Sequence, residues 1–233
     1  MGKRVVTLAA CLLFFGFSLP DLPDLRDLPD QSTQQKPKRK LFDPKDLGLL
    51  EAPDRAQWNK PELIMDRLGV ADGSTVAELG AAGGWFTLWL ARRVGPNGVV
   101  YAEDIQREML EAISQRVQGE NQIHVRPVLG TPTDPHLPAG IDAVVISDSF
   151  HEMDESTDPL QVVKLLKNVA ASLKPQGRLG VVDFTPGGGG PGPAADQRVD
   201  PQRVITVAEA AGLQLIAREE VPPFLFLLVF GRR

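Results

Sequence analysis

Residues 75–86 read Thr75-Val76-Ala77-Glu78-Leu79-Gly80-Ala81-Ala82-Gly83-Gly84-Trp85-Phe86, and the fold turns on them. A β-type run over 75–79 stops at Gly80. Small residues follow, and a helical pattern occupies 85–94. Gly95-Pro96-Asn97-Gly98 then closes it with strong turn chemistry. A strand that feeds a helix through small residues is the building unit of α/β sheets. It leaves the backbone approachable at the strand's carboxyl end, where such sheets bind ligands. The dinucleotide fingerprint G-x-G-x-x-G needs glycine at 80, 82 and 85. Ala82 and Trp85 break it, which disfavours a nucleotide-dependent oxidoreductase.

The same alternation extends in both directions. Upstream, 61–68 predicts a short helix with Pro61 in its first turn and Gly69 as its stop. Downstream, strands are expected at 99–102, 123–128 and 141–146. Met109, Leu110, Ile113 and Val117 recur at helical spacing between the first two. The run at 141–146 is almost wholly apolar, as a parallel strand buried on both faces requires. Asp158-Pro159 and Asp200-Pro201 each predict a helix start, with Asp as cap and Pro at the first position. Strands follow at 179–184, 213–217 and 224–230. No helix-length segment separates the last two, so they should pair as a hairpin. The expected fold is α/β: a Rossmann-like, seven-stranded, mostly parallel sheet with helices on both faces and a C-terminal antiparallel hairpin strand.

Composition narrows the class. The 233 residues are 42% hydrophobic and 24% charged, which excludes a wholly disordered chain. Cys11 is the only cysteine, so no intramolecular disulfide forms. With three scattered histidines it also argues against a structural zinc site, and no metal ligands are assigned. The net charge of −5 argues against a nucleic-acid partner. Lys3 and Arg4 precede an apolar run to Leu19, too short for a membrane span and suited to a signal peptide. Cleavage after Ser18, a lipid anchor at Cys11 and an uncleaved anchor are competing readings. They place the protein outside the cytoplasm or at a membrane, or in the cytoplasm if the segment is no signal. Residues 20–46, rich in Pro and charge, read as an extended linker. The basic cluster Lys36-Pro37-Lys38-Arg39-Lys40 is either solvated or a contact for an anionic membrane. The domains are thus 1–19, 20–46 and 47–233.

Glu78, Gly80 and Gly84 resemble motif I of class I S-adenosylmethionine-dependent methyltransferases, acidic-x-G-x-G-x-G. Ala82 departs from it by one methyl group. Four further stretches agree with the resemblance. In Tyr101-Ala102-Glu103-Asp104-Ile105 it implies that Asp104 holds the ribose hydroxyls, with Glu103 as the alternative. A carboxylate can accept both hydroxyl hydrogens. In 130–138 it implies that Asp134 contacts the adenine. Asp142 to His151 resembles the motif IV strand and its exit. Leu173-Lys174-Pro175-Gln176-Gly177-Arg178-Leu179 resembles the turn before strand five, with Gln176 in place of a glycine. Asp54-Arg55-x-x-Trp58-x-x-Pro61 and Phe150-His151-Glu152 are similar to the methyltransferase type-11-like bacterial proteins, which often carry export signals. The resemblance spans about residues 51–233. It implies S-adenosylmethionine as cofactor, with Glu78, Gly80, Ala82, Gly84, Asp104 and Asp134 around it.

The resemblance implies methyl transfer to a small-molecule acceptor, with no acceptor named. The sulfonium is already activated, so positioning does most of the work. A hydroxyl, amine or thiol acceptor also loses a proton. His151 lies just past strand four, and a histidine suits the role of base near neutral pH, with Glu152 orienting it or binding substrate. The competing reading is that His151 only fixes its loop. Asp148 is a weaker candidate. Trp58, Trp85 and Phe86 either flank the ligands or pack the core. Arg55 with Asp54 either closes over the site or forms a surface ion pair. The glycine-rich 187–193 segment is expected to be mobile. An alternative function is a non-catalytic S-adenosylmethionine or nucleoside-binding module on the same fold. The substitutions Ala82 and Gln176 favour that alternative, and the retained acids oppose it.

Overall fold

A computed structural model describes residues 41–154, 158, 160–187 and 189–233. The expected signal, the Cys11 anchor and the linker as far as residue 40 lie outside the described residues. The described chain begins with a 3-10 helix at Pro44–Leu50, capped by Asp43, so ordered structure starts before the boundary drawn at 47. Among the described residues, no helix is long and apolar enough to cross a membrane.

Seven strands form one sheet: β1 (Thr75–Leu79), β2 (Val99–Asp104), β3 (Val125–Leu129), β4 (Ile141–Ser147), β5 (Leu173–Phe184), β6 (Leu213–Val221) and β7 (Leu225–Arg232). Their order is β3-β2-β1-β4-β5-β7-β6. β7 alone runs against its neighbours, inserted between β5 and β6. This is the expected fold class, hairpin included. The helices are α1 (Arg55–Asn59), α2 (Pro61–Leu68), α3 (Trp85–Val94), α4 (Arg107–Gly119), α5 (Phe150–Met153), α6 (Gln161–Ser172) and α7 (Pro201–Ala210).

The apolar stripes explain the layers. Ile64, Met65 and Leu68 of α2, Phe86 and Leu90 of α3, and Ile113 of α4 bury against one face of the sheet. Val162, Leu166 and Val169 of α6 and Val204 and Ala208 of α7 bury against the other. Val144 and Ile146 of β4 are fully buried, as a central strand covered on both sides should be.

Two boundaries differ for local reasons. α6 begins at Gln161, because the Asp158 side chain accepts the Leu160 amide and its carbonyl accepts the Gln161 amide. Asp158 thus closes a turn ahead of the helix. β5 begins at Leu173, six residues ahead of the expected 179, because Leu173 pairs with Ile141 across a bulge. The strand order reverses between β1 and β4. The carboxyl ends Leu79, Asp104, Ser147 and Phe184 therefore converge at the topological switch point.

Candidate functional site

The glycine turn occupies that edge. Gly80 and Gly84 have φ of 68° and 78°, the left-handed region that glycine enters without a Cβ penalty. A Cβ on Gly80 would sit 2.8 Å from the Ser149 hydroxyl, so the β4 exit packs directly on the turn. Ala82 is also left-handed, with φ of 47°, and its amide is held by Asp104 Oδ2 at 2.9 Å. The departure from glycine is therefore accommodated by a clamp from β2. The other Asp104 oxygen accepts the Gln106 amide at 2.9 Å. The Ile105 amide also donates to this carboxylate, which keeps acceptor capacity for a ligand hydroxyl. Glu103, its neighbour, abuts Gly130, where a Cβ would fall 1.7 Å from Oε1.

These acids lie in a dry, crowded edge. Burial pushes Glu78 up to about 8 against the hydrogen bond from the Thr87 hydroxyl and the nearby Arg55 charge. Burial, reinforced by Asp104, raises Glu103 to about 8. Burial also raises Asp104, opposed by its backbone donors. A cationic ligand would restore the charge these groups give up.

Arg55 does not pair with Asp54. Its guanidinium donates to Asp148 Oδ2 at 2.9 Å and to the Leu50 carbonyl at 2.8 Å, and it lies over the Trp85 ring at 4.3 Å. Asn59 donates to the same Asp148 oxygen at 2.9 Å. In place of the surface pair with Asp54, one of the two expected readings, Arg55 forms a buried pair with Asp148 where α1 meets the end of β4. Asp148 itself is left-handed, with φ of 58°, a conformation a non-glycine residue holds only under constraint. Burial raises its pKa, and Arg55 opposes that. Four buried polar atoms here have no partner among the described residues: Arg55 Nε, Asn59 Oδ1, Ser147 Oγ and Asp148 Oδ1.

His151 sits in α5, buried. Its Nδ1 lies 2.9 Å from Asp183 Oδ1, and its Nε2 lies 4.0 Å from Glu152 Oε1. Asp134 closes its own turn by accepting the His136 amide at 2.9 Å and is half-exposed beyond β3. Phe86 is core. Trp58 and Phe184 belong to the same core cluster, and Trp58 packs on Phe184 and Phe224 at centroid distances of 5.9 and 6.4 Å. The segment after β5 is stapled rather than loose. Arg198 donates to the carbonyls of Thr185, Gly189, Pro191 and Pro193 and covers the Phe184 ring.

Sequence reasoning missed Asn59 and Asp183. Asp183 carried a signal: an acidic residue inside the apolar run of a central strand is rarely buried without a task. Asn59 carried none, since its role depends on where α1 folds.

Comparison with known proteins agrees with this geometry. Residues 76–177 match a methyltransferase domain family. The solved structure of a SAM-dependent methyltransferase from Aquifex aeolicus superposes with a TM-score of 0.75. The two are 25% identical, over 82% of this chain and all of that one. A demethylmenaquinone methyltransferase from Lactobacillus johnsonii is 26% identical over 54% of this chain and 49% of its own length. A 2-phytyl-1,4-naphtoquinone methyltransferase from Trichormus variabilis is 29% identical over 53% and 52%. The chain spans about half the length of these curated relatives. Residues 76–177 thus match a methyltransferase domain, on a fold shared with an S-adenosylmethionine-dependent methyltransferase, and these similarities support S-adenosylmethionine as the cofactor. The residues present fit it. The four unpartnered polar atoms beside the glycine turn include both donors and acceptors, as a zwitterionic amino-acid end requires.

Proposed function

We propose that this protein transfers the methyl group of S-adenosylmethionine to a small, flat, largely apolar acceptor, with His151 as the base. The cluster of unpartnered buried polar atoms at Arg55, Asn59, Ser147 and Asp148 carries the reading. Leaving each such atom unsatisfied costs about 1–3 kcal/mol, which a bound ligand offsets. In this reading Asp104 holds the ribose, the 80–84 turn admits the cofactor chain, and Asp134 borders the adenine. Glu78 and Asp148 face its positive charge. The cofactor supplies a sulfonium-activated methyl group. The protein aligns the acceptor and excludes water.

The names of two relatives point to naphthoquinone chemistry and so support a flat, largely apolar acceptor. Glu152, nearer the surface than His151, passes the proton outward. The apolar N-terminal segment, as an export signal or membrane anchor, belongs to the same reading, and cell fractionation with and without residues 1–19 tests it.

The test of activity is S-adenosylhomocysteine release by the full chain with a panel of naphthohydroquinones and simple phenols. Release that Asp104→Ala abolishes is the expected result. Tight cofactor binding with no release from any acceptor would favour the non-catalytic binding module.

A further inference from the structure

Asp183 is fully buried at the end of β5, and its carboxylate accepts from His151 and from the next residue of its own strand. Its Oδ2 accepts the His151 backbone amide at 2.9 Å. Its Oδ1 accepts the Phe184 amide at 2.7 Å. The His151 ring presents Nδ1 to both oxygens, at 2.9 and 3.0 Å. An ionised carboxylate only accepts, so the ring nitrogen facing it must carry the proton. Main chain and ring of His151 are thus fixed by the same group.

We propose that Asp183 is a positioning residue for methyl transfer. It holds His151 as the Nδ1–H tautomer, and so makes Nε2 the atom that receives the acceptor's proton. The inference rests on the reading of His151 as the base and adds the group that makes it one. Nε2 takes the proton as the acceptor's bond to the methyl carbon forms and the carbon–sulfur bond breaks. The electron pair of that broken bond stays on sulfur. The products are the methylated acceptor, neutral S-adenosylhomocysteine and an imidazolium, which Asp183 stabilises. The proton then leaves by way of Glu152, whose side chain is 31% exposed against 5% for His151.

Among the described residues, charged groups face the ring from several elements. Asp183 faces it from β5. Asp148 faces it from the β4 exit, already paired with Arg55 of α1. Glu152 lies beside it on α5. Asp154, at the end of α5, is tied to Arg203 of α7 by a two-pronged ion pair. Asp183 contributes the direct contact, and its charge favours the protonated ring.

The chain has three histidines, His124, His136 and His151, so ring-nitrogen NMR of the full chain resolves them one by one with single His→Gln variants. In the wild type near neutral pH, His151 is expected to show Nδ1 protonated and Nε2 unprotonated. Asp183→Asn is expected to mix or invert the tautomers and lower the ring's titration midpoint by about one unit or more. Asp183→Glu, which keeps the charge, should retain the wild-type tautomer and serves if the Asn variant does not fold. S-adenosylmethionine affinity, measured on the same samples, should stay within about threefold of wild type. With a reactive acceptor, the acidic limb of the rate profile should move to lower pH in Asp183→Asn while the maximum falls.

A wild-type ring protonated on Nε2 would overturn the inference. So would a tautomer and midpoint unchanged by Asp183→Asn, though His151 as base would survive that result. His151→Gln with undiminished S-adenosylhomocysteine release would instead remove the base itself.

Discussion

Glu78 and Glu103 show what one residue can report. Both are carboxyls that burial raises from 4.5 to about 8. The unfolded chain loses their protons near 4.5, and the folded chain keeps them until about 8. The folded state therefore binds more protons in that window, and their contribution to stability falls as pH rises through it. Glu103→Gln should flatten the decline of Tm between pH 5 and 8. An unchanged slope would show that Glu103 ionises normally. Cofactor binding works in the opposite direction. A sulfonium and an ammonium favour ionised Glu78, so affinity should tighten toward pH 8 with release of a proton, measured by titration calorimetry in buffers of different ionisation heat. Glu78→Gln should remove that dependence. The placement of Glu78, Asp104 and His151 at this edge was legible in the sequence, because they stand at or just past the ends of strands. Asp183 was missed because its partner lies 32 positions away, and only the β4–β5 pairing brings them together.

Elements, rather than residues, decide how the site is covered. The stretch from Phe42 to Asn59 lies across the carboxyl edge. The Phe42 carbonyl accepts from Gln106, Leu47 packs on Gly83, and Glu51 pairs with Arg116 at 2.5 Å. Arg55 ends this cover in a buried ion pair, with side chains 9% and 10% exposed. Removing one partner of such a pair costs about 3–5 kcal/mol, because the other charge stays buried. Arg55→Met should therefore lower Tm strongly. The Arg55→Met, Asp148→Asn double variant should recover much of the loss, and equal losses would show that the two do not act together. On the far side, Arg198 holds the described part of the segment after β5 through the carbonyls of Thr185, Gly189, Pro191 and Pro193. Its composition predicts mobility, since Gly and Pro counts say nothing of which distant donor satisfies the backbone. Arg198→Ala should make this segment the first site of limited proteolysis while leaving the core intact. Cleavage at the wild-type rate would contradict the staple. Helices α2, α3, α4 and α7 were readable from their caps and apolar spacing. The covering α1 was not, because five residues carry too little periodicity.

At the scale of the whole molecule, the alternation of strand and helix was enough to give the sheet. A parallel crossover needs a long connection, most often a helix, and the short link at 222–224 leaves only a hairpin. That logic yields the inverted β7 without any side-chain detail. The same topology brings β1, β2, β4 and β5 to one edge, so the glycine turn, Asp104 and the His151–Asp183 pair share it. The account stands on that edge holding S-adenosylmethionine. Calorimetric titration of the full chain with the cofactor, beside Asp104→Ala, tests it most directly. Micromolar binding by the wild type, weakened at least tenfold in a variant that keeps its Tm, is the predicted result. A well-folded wild type that binds neither S-adenosylmethionine nor S-adenosylhomocysteine would contradict it.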